Sequence, residues 1–352
     1  MCSRNVPSFG TIRKMNTPLL ECIPNFSEGR DAWKIEAIAG SIRKVPGVAL
    51  LHTDTSPAAH RTVMTFAGNP QSVTDAAFNA IKAAAEVIDM SEQAGVHPRI
   101  GATDVCPLVP LQGMTMDEAD YYARQLGERV GRELGIPVYL YEHSAKQNHR
   151  RALPDIRKGQ YEGFAEKMKQ PDWMPDYGPL VFIPSSGATV IGARDILVAF
   201  NISLTTNDVD KAVQIANRLR SRGYVANGVK TPGLLRKTRA IGWYMADYDQ
   251  AQVSLNLLDF RITSPLQAYE ACKAIADELN VDIAGSEVIG LIPEECLMEA
   301  GVFSLMKQER GLDLPKEMII HEAIRYLGLH QLKPFEPQEK ILEYAIERHL
   351  KA

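Results

Sequence analysis

A short stretch of this sequence, residues 97–104, combines a histidine, an arginine and an aspartate: His97, Arg99 and Asp104. An imidazole can exchange a proton near neutral pH, a guanidinium can bind a carboxylate through two hydrogen bonds, and a carboxylate can hold a cation. Pro98 biases the backbone of His97 toward an extended conformation. The stretch is therefore typical either of a proton-transfer site or of a structural loop whose polar side chains satisfy backbone groups.

The first half of the chain supplies the elements that would position this stretch. Apolar residues recur at helical spacing in some segments and form strand-like runs in others. In chain order they predict a strand at 19–23, a helix at 31–44, strands at 48–53 and 61–66, a helix at 69–90 and a strand at 105–111. The order β-α-β-β-α-β is that of a ferredoxin-like sandwich. A helix from Thr115, with a capping box to Glu118 and an end near Gly135, and a strand at 137–141 follow.

The second half repeats this order without obvious sequence identity to the first. It predicts a strand at 196–204, a helix at 208–222, strands at 239–245 and 252–260, a helix at 264–279, a strand at 283–292, and final helices at 316–327 and 337–350. We therefore expect an α+β fold of two ferredoxin-like (βαββαβ) subdomains with a ligand cleft or tunnel between them. The predicted division is a flexible N-terminal lead at 1–16, a first subdomain at 17–195 and a second at 196–352.

Composition narrows the class of protein. The 352 residues are 45% hydrophobic and 23% charged, with a formal net charge of -4, which is typical of a globular chain long enough for two domains. The absence of a basic stripe argues against nucleic acid as a partner. No apolar run would span a bilayer, and no signal peptide is recognisable. The five scattered cysteines lack metal-ligand spacing and favour a cytoplasmic protein with reduced thiols and no metal site.

A second unusual segment lies at 178–187. It is apolar, contains two prolines and is bracketed by glycines: Gly178, Pro179, Leu180, Val181, Phe182, Ile183, Pro184, Ser185, Ser186 and Gly187. Such a segment cannot be a helix and is a poor central strand. It predicts either a buried linker or edge strand, or a wall against which a flat ligand lies.

Several ordered motifs resemble one family. They are Pro24-Asn25-Phe26-Ser27-Glu28-Gly29, Asp54 followed by Arg61-Thr62-Val63, His97-Pro98-Arg99, the segment 178–194, Asn256-Leu257-Leu258-Asp259-Phe260 and Gly290-Leu291-Ile292-Pro293. Together they resemble glutamate formiminotransferase over nearly the whole chain. The resemblance implies transfer of the formimino group of N-formimino-L-glutamate to N5 of tetrahydrofolate, in histidine degradation, by a homodimer. In animals this domain is fused to a cyclodeaminase, and we expect a standalone form here.

The resemblance also implies site residues. Mapped by motif, His97 is the catalytic histidine, and the segment 178–187 contacts the folate. Ser186 stands where the family often has an aromatic residue, which leaves open how the ligand stacks there. We expect that a bulky residue at Gly187 would weaken folate binding while leaving the fold intact.

The chemistry suits these residues. N5 of tetrahydrofolate must lose a proton as it attacks, and help from a general base such as His97 is typically worth about 10²- to 10⁴-fold. The formimino group is an amidine, so a carboxylate would stabilise its positive charge. We favour Asp54 over Asp104 because Asp54 lies at a strand end, although it could equally cap a turn. Arg61, Arg99 and Arg194 are unranked candidates for binding substrate carboxylates.

Two other functions remain open from the sequence. A related enzyme acting on 5-formyltetrahydrofolate could use the same pocket and base. A folate-binding protein without turnover would need only the ligand wall, and the presence of both His97 and Asp54 argues against it.

Overall fold

The computed structural model describes residues 17–226 and 228–350. The predicted N-terminal lead, 1–16, lies outside the described residues. The described residues form two compact units, one of residues 17–195 with 348–350 and the other of residues 196–347. No helix within the described ranges has both the length and the apolarity needed to cross a membrane.

The first unit alternates strands and helices. Its elements are β1 (Leu20–Cys22), β2 (Asn25–Phe26), α1 (Ala32–Arg43), β3 (Val48–Ser56), β4 (Arg61–Gly68), α2 (Pro70–Val87), β5 (Thr103–Pro110), α3 (Met116–Arg129), β6 (Val138–Leu140), α4 (Leu153–Arg157), α5 (Gln160–Met168) and β7 (Thr189–Ala193). A π-helical turn, Val130–Leu134, extends α3. Short 3-10 turns occur at Glu142–Ser144, Asn148–Arg150 and Pro171–Trp173.

These strands form one sheet. Its order is β3, then β4, then β1 and β2 in one shared position, and then β5, β7 and β6. β1 and β2 both lie between β4 and β5, and Pro24, which has no N–H to donate, separates the two segments. The pairs up to β5 are antiparallel, whereas β7 runs parallel to both β5 and β6. β7 was not predicted. Its parallel partners are distant in the chain, so local sequence contains no signal for the pairing.

The predicted helix starts are confirmed. Asp31 caps α1, and Asn69, followed by a proline, caps α2. Thr115 opens α3 with the predicted capping box to Glu118. The helix ends at Gly135, whose φ of 64° lies in the left-handed region that glycine adopts easily. Each start depends on a side chain within three or four residues, and for that reason it can be read locally.

Both faces of the first sheet are covered in part. Phe26, Phe66, Ile38 and Ile81 are buried in a core between the sheet and its helices, and burying each such side chain contributes about 1.5–3 kcal/mol. On the other side a smaller core joins strands β5, β6 and β7 to α4 and α5, through Val105, Tyr139, Val190, Ile156 and Phe164. The region 143–187 thus contains two helices, α4 and α5, that complete this second core.

The second unit has its own sheet. Its elements are β8 (Val198–Leu204), α6 (Val209–Leu219), β9 (Tyr224–Ala226), β10 (Val229–Thr231), β11 (Thr238–Met245), β12 (Gln250–Leu257), α7 (Pro265–Glu278), β13 (Ile283–Ile289), α8 (Glu294–Lys307), α9 (Lys316–Leu327), α10 (Pro337–Lys340) and α11 (Leu342–Leu350). The antiparallel order is β11, β12, β8, β13. β9 and β10 form a separate hairpin. Alternate residues of β8 enter the core: Val198, Phe200, Ile202 and Leu204.

The second unit differs from the sequence predictions in two places. Helix α8 was not predicted, because its buried residues include the consecutive run Cys296, Leu297 and Met298 rather than one spaced face. The single helix expected at 337–350 is broken at Ile341. There the chain is extended and bridges Ile292, which accepts from the N–H of Leu342 and donates its own N–H to the carbonyl of Lys340.

Candidate active site

Three segments of the first unit converge around His97. They are the loop before α1 (27–31), the turn between β3 and β4 (57–60) and the loop before β5 (88–102). The hydroxyl of Ser27 donates to the Gly101 carbonyl (2.7 Å), and the N–H of Ser27 donates to the Ala102 carbonyl (2.9 Å). These bonds fasten the loop that carries His97 to the loop that begins α1.

His97 itself is partly buried among cations. Burial disfavours the charged imidazolium, and the guanidiniums of Arg61 and Arg157 oppose a further positive charge. Together they hold the pKa of His97 well below its ordinary value. His97 is therefore neutral near pH 7, which is the state in which an imidazole can accept a proton.

Arg61 and Asp54 share one face of the β3–β4 pair. In the strand register Arg61 lies opposite Ser56, and Asp54 lies opposite Val63. Opposite residues of an antiparallel pair point to the same side, as do residues two apart in a strand. The Asp54 carboxylate also lies 3.6 Å from the ring of His52. The structure thus places a carboxylate and an arginine on one sheet face, and the same arginine acts electrostatically on His97.

Asp104 has a structural environment. Its buried carboxylate accepts the N–H of Ile100 at 3.0 Å and pairs with the guanidinium of Arg157. The Nε of Arg157 lies 3.3 Å from Oδ1, the same carboxylate oxygen that accepts the Ile100 N–H. Asp104 therefore closes the His97 loop and ties it to α4.

The predicted arginines have different surroundings. Arg99 donates to both oxygens of Glu162 (2.6 and 2.9 Å) and to the side chain of Gln93 (2.8 Å), and only 7% of its side chain is exposed. Its guanidinium is thus directed at a carboxylate of the protein itself. Arg194, at the end of β7, donates to the Asp195 carbonyl at 2.8 Å.

The segment 178–187 is attached to the His97 loop. The N–H of Ala102 donates to the Ser186 carbonyl (2.8 Å), and the N–H of Ala188 donates to the Ile100 carbonyl (3.0 Å). Farther along the segment, Leu180 and Val181 are 65% and 64% exposed. The structure therefore joins a half-buried histidine to an exposed apolar surface within one unit.

The expected tolerance of Gly187 is contradicted. Its φ is 65°, and a Cβ there would lie 2.2 Å from the Ile100 carbonyl oxygen and 2.6 Å from Gly101 Cα. A bulky residue at Gly187 would displace the His97 loop itself. The effect of such a substitution on folate binding therefore cannot be separated from an effect on the fold.

Tyr161 on α5 connects the two parts of the site and was not identified from the sequence. Its hydroxyl donates to the Pro184 carbonyl at 2.7 Å, and its ring packs against Phe182 with centroids 5.3 Å apart. The guanidinium of Arg99 lies 5.7 Å from the centroid of the same ring. Tyr161 lies in a region of weak apolar periodicity, so the sequence did not indicate that its side chain would lie in the site.

Glu28 and His60 were also missed as a pair. Glu28 Oε1 accepts the N–H groups of Gly29 (2.9 Å), Arg30 (2.9 Å) and Asp31 (3.1 Å), and it lies 3.1 Å from Nε2 of His60. Burial alone would raise the pKa of Glu28, but the backbone donors and His60 outweigh it and lower the pKa. Glu28 and His60 lie 32 positions apart, so neighbouring sequence did not indicate the pair.

Metal-binding side chains are not grouped in the described part of the chain. Among residues 17–226 and 228–350, no three or more histidine, cysteine, aspartate or glutamate side chains lie so that they could hold a metal ion together. The described cysteines are buried and free.

Comparison with known proteins identifies the family. Residues 19–194 match the formiminotransferase domain, N-terminal subdomain, and residues 199–347 match the formiminotransferase domain. The chain is 45% identical over 328 residues to the formimidoyltransferase-cyclodeaminase of Rattus norvegicus, covering 93% of this chain and 60% of that protein. It therefore spans about 60% of the length of such relatives.

Shorter relatives are covered almost completely. The glutamate formimidoyltransferase of Streptococcus pyogenes serotype M1 is 41% identical over 301 residues, or 86% of this chain and 97% of that protein. The glutamate formimidoyltransferase of Thermoplasma acidophilum is 40% identical over 297 residues, or 84% and 94%. From both domain matches and these relatives, the chain belongs to the formiminotransferase family.

Proposed function

We propose that this chain transfers the formimino group of N-formimino-L-glutamate to N5 of tetrahydrofolate, giving 5-formiminotetrahydrofolate and L-glutamate. The observation that carries the proposal is a neutral imidazole, His97, held beside Arg61 in a loop that is attached to an exposed apolar segment. Relatives named glutamate formimidoyltransferase, at 40–41% identity over most of the chain, support the same reaction.

His97 would act as the general base. As N5 attacks, the bond between N5 and the formimino carbon forms, and the N5 proton passes to the imidazole. The bond between that carbon and the glutamate nitrogen then breaks, and the imidazolium returns the proton to the departing amine. The surrounding guanidiniums keep the pKa of His97 low, so the imidazolium releases this proton readily.

Charged residues would hold the other substrate. Asp54 would stabilise the positive charge of the formimino amidine, since a fixed carboxylate lowers the energy of a cationic intermediate. Arg61, on the same sheet face, would bind a substrate carboxylate while also tuning His97. Arg99 and Arg194 are further candidates, and for Arg99 substrate binding would require exchange of its contact with Glu162.

The folate would lie along the segment 178–187, where Leu180 and Val181 present apolar surface to its rings. The strand orders support a ferredoxin-like sandwich in each subdomain, 17–195 and 196–352. The order is β3-β4-β1/β2-β5 in the first subdomain, and the matching order in the second is β11-β12-β8-β13. On the family resemblance and the composition, we also propose a homodimer in the cytoplasm without metal, membrane or nucleic-acid partners.

A direct assay tests this function. The purified chain is incubated with N-formimino-L-glutamate and tetrahydrofolate, and release of L-glutamate and formation of 5-formiminotetrahydrofolate are followed by mass spectrometry. Glutamate release that requires tetrahydrofolate supports the proposal. Tight folate binding without turnover would overturn it in favour of a binding protein, and turnover of 5-formyltetrahydrofolate alone would overturn it in favour of the related enzyme.

A further inference from the structure

His60 joins two loops of the first unit through the two nitrogens of its ring. It immediately precedes β4 and has a left-handed backbone, with φ of 51°. Its Nδ1 lies 2.9 Å from the Ala94 carbonyl oxygen, and its Nε2 lies 3.1 Å from Glu28 Oε1. Only 12% of the side chain is exposed. Because Ala94 precedes His97 by three residues, the imidazole connects the loop of the proposed base to the loop that begins α1.

The two acceptors define the state of this ring. A carbonyl oxygen can only accept a hydrogen bond, so Nδ1 must donate. Glu28 Oε1 already accepts the backbone N–H groups of Gly29, Arg30 and Asp31, as an ionised oxygen does, so Nε2 must donate as well. Both contacts are satisfied only by a doubly protonated imidazole. With hydrogen on both nitrogens, His60 would form an ion pair with Glu28 that has little exposure to solvent.

A further bond ties His60 to the same loop. Its backbone carbonyl accepts the side-chain amide of Gln93 at 3.3 Å, and the carbonyl oxygen of that amide accepts Nε of Arg99. The loop is thus held on both sides of His97, at Ala94 and at Arg99. The contact at Ala94 is the one that depends on the His60 ring.

Other charged groups lie around the pair. Lys34 on α1 has its Nζ 3.7 Å from the second oxygen of Glu28, and Arg61 follows His60 in the chain. Arg30 donates through Nε to the Pro57 carbonyl in the same turn. Lys34 is therefore a second basic side chain beside Glu28, in addition to His60.

We propose that His60, as an imidazolium paired with Glu28, is a positioning residue that holds the His97 loop beside Arg61. The inference rests on the proposed function, because it takes His97 as the base. Within one site, one histidine is a charged anchor and the other a neutral proton acceptor. Loss of the contact with Ala94 would let His97 move, and displacement of a catalytic group by about 1 Å can cost about 10²-fold in rate.

Two near-isosteric substitutions separate the two bonds of His60. The amide nitrogen of an asparagine can replace Nδ1, and that of a glutamine can replace Nε2. His60→Asn keeps a donor for the Ala94 carbonyl and suits the left-handed backbone, whereas His60→Gln keeps a donor for Glu28 and loses the bond to Ala94. We expect His60→Gln to lower kcat by roughly 10- to 10²-fold with KM for either substrate changed less than about threefold. His60→Asn should lose clearly less.

His143→Gln is the matched control. His143 also faces a carboxylate, Asp117, at 3.0 Å, but that carboxylate is 92% exposed, so its removal should change neither kcat nor the melting temperature. If His60→Gln and His60→Asn lowered the melting temperature equally and left kcat at the wild-type value, His60 would be a structural residue only and the inference would be overturned.

A spectroscopic measurement tests the ion pair without turnover. The protein is labelled with ¹⁵N-histidine, and the signals of the His60 ring are assigned by their absence in His60→Asn. The ring should carry hydrogen on both nitrogens at pH 7. Glu28→Gln should abolish this signature. One bare nitrogen at pH 7 would overturn the ion pair. A wild-type protein that does not transfer formimino groups would instead refute the proposed function, and the NMR result would still decide the state of His60.

Discussion

Gly101 and Gly187 face each other across an isolated antiparallel bridge that joins the His97 loop to the segment 178–187. Neither position has room for a side chain. A Cβ on Gly101 would lie 2.2 Å from the Ala188 carbonyl oxygen, and a Cβ on Gly187 would lie 2.2 Å from the Ile100 carbonyl oxygen. The two loops can approach this closely only because both residues are glycine.

The first prediction follows from this bridge. Gly187→Ala should destabilise the protein by more than about 2 kcal/mol, because it combines a positive φ with a backbone clash. Gly163→Ala is the matched control: this glycine lies within α5, and nothing lies within 4 Å of a Cβ built there, so the change should stabilise by about 0.5–1 kcal/mol. Urea unfolding measures both, and equal effects would contradict the close approach of the two loops at the bridge.

The second prediction concerns the proposed base. His97→Ala should reduce turnover of N-formimino-L-glutamate by about 10²-fold or more while folate binding is largely kept. Only the neutral imidazole accepts a proton, so the wild-type rate should fall as pH drops through the pKa of His97. Because that pKa is lowered, the fall should occur at a pH well below 6.5. Near-normal turnover in His97→Ala at pH 7 would assign the base to another residue.

The third prediction concerns the cation beside this base. Arg61→Gln removes a positive charge that disfavours the His97 imidazolium, so the pKa of His97 should rise. The acidic limb of the kcat/KM profile should therefore move to higher pH. Arg129→Gln, in α3 and paired with Asp75, serves as the control and should leave that limb in place. A shift toward lower pH in Arg61→Gln would refute the electrostatic assignment.

The fourth prediction concerns the buried pair that closes the loop. Asp104→Asn leaves the Arg157 guanidinium without its carboxylate partner in a mostly buried place, and should cost roughly 3 kcal/mol of stability. Glu36→Gln breaks an ion pair with Arg43 in which both side chains are well exposed, and should cost less than about 0.5 kcal/mol. Chemical denaturation measures the loss of stability in both variants. Equal losses would show that Asp104 does not hold the His97 loop to Arg157.

The fifth prediction concerns the folate surface. Leu180→Asp places a charge on an exposed apolar position, so it should weaken folate binding by roughly 10-fold without lowering the melting temperature. Leu312→Asp, at another exposed leucine, should change neither quantity. Titration of folate against the two variants measures the effect. Equal affinity in Leu180→Asp and wild type would remove this segment from the binding site.

Local chemistry makes the helix starts and the order of the strands readable from the amino-acid sequence alone. Asp31, Asn69, Thr115 and Ser264 each satisfy backbone N–H groups within the next three residues, so their role is contained in adjacent sequence. The same holds for the alternating core residues of β8. Such signals predict most of the strands and helices in both units, and they also mark the His97 stretch.

The sequence by itself determined which residues can begin helices, which runs are strands and which loop carries titratable groups. Only the tertiary structure decided that Arg99 faces Glu162, that Asp104 faces Arg157, that β7 lies beside β5 and that His60 pairs with Glu28. Each of these contacts joins residues more than thirty positions apart. Their formation depends on how the chain packs rather than on neighbouring side chains. The same packing lowers the pKa of His97 and so keeps its imidazole neutral.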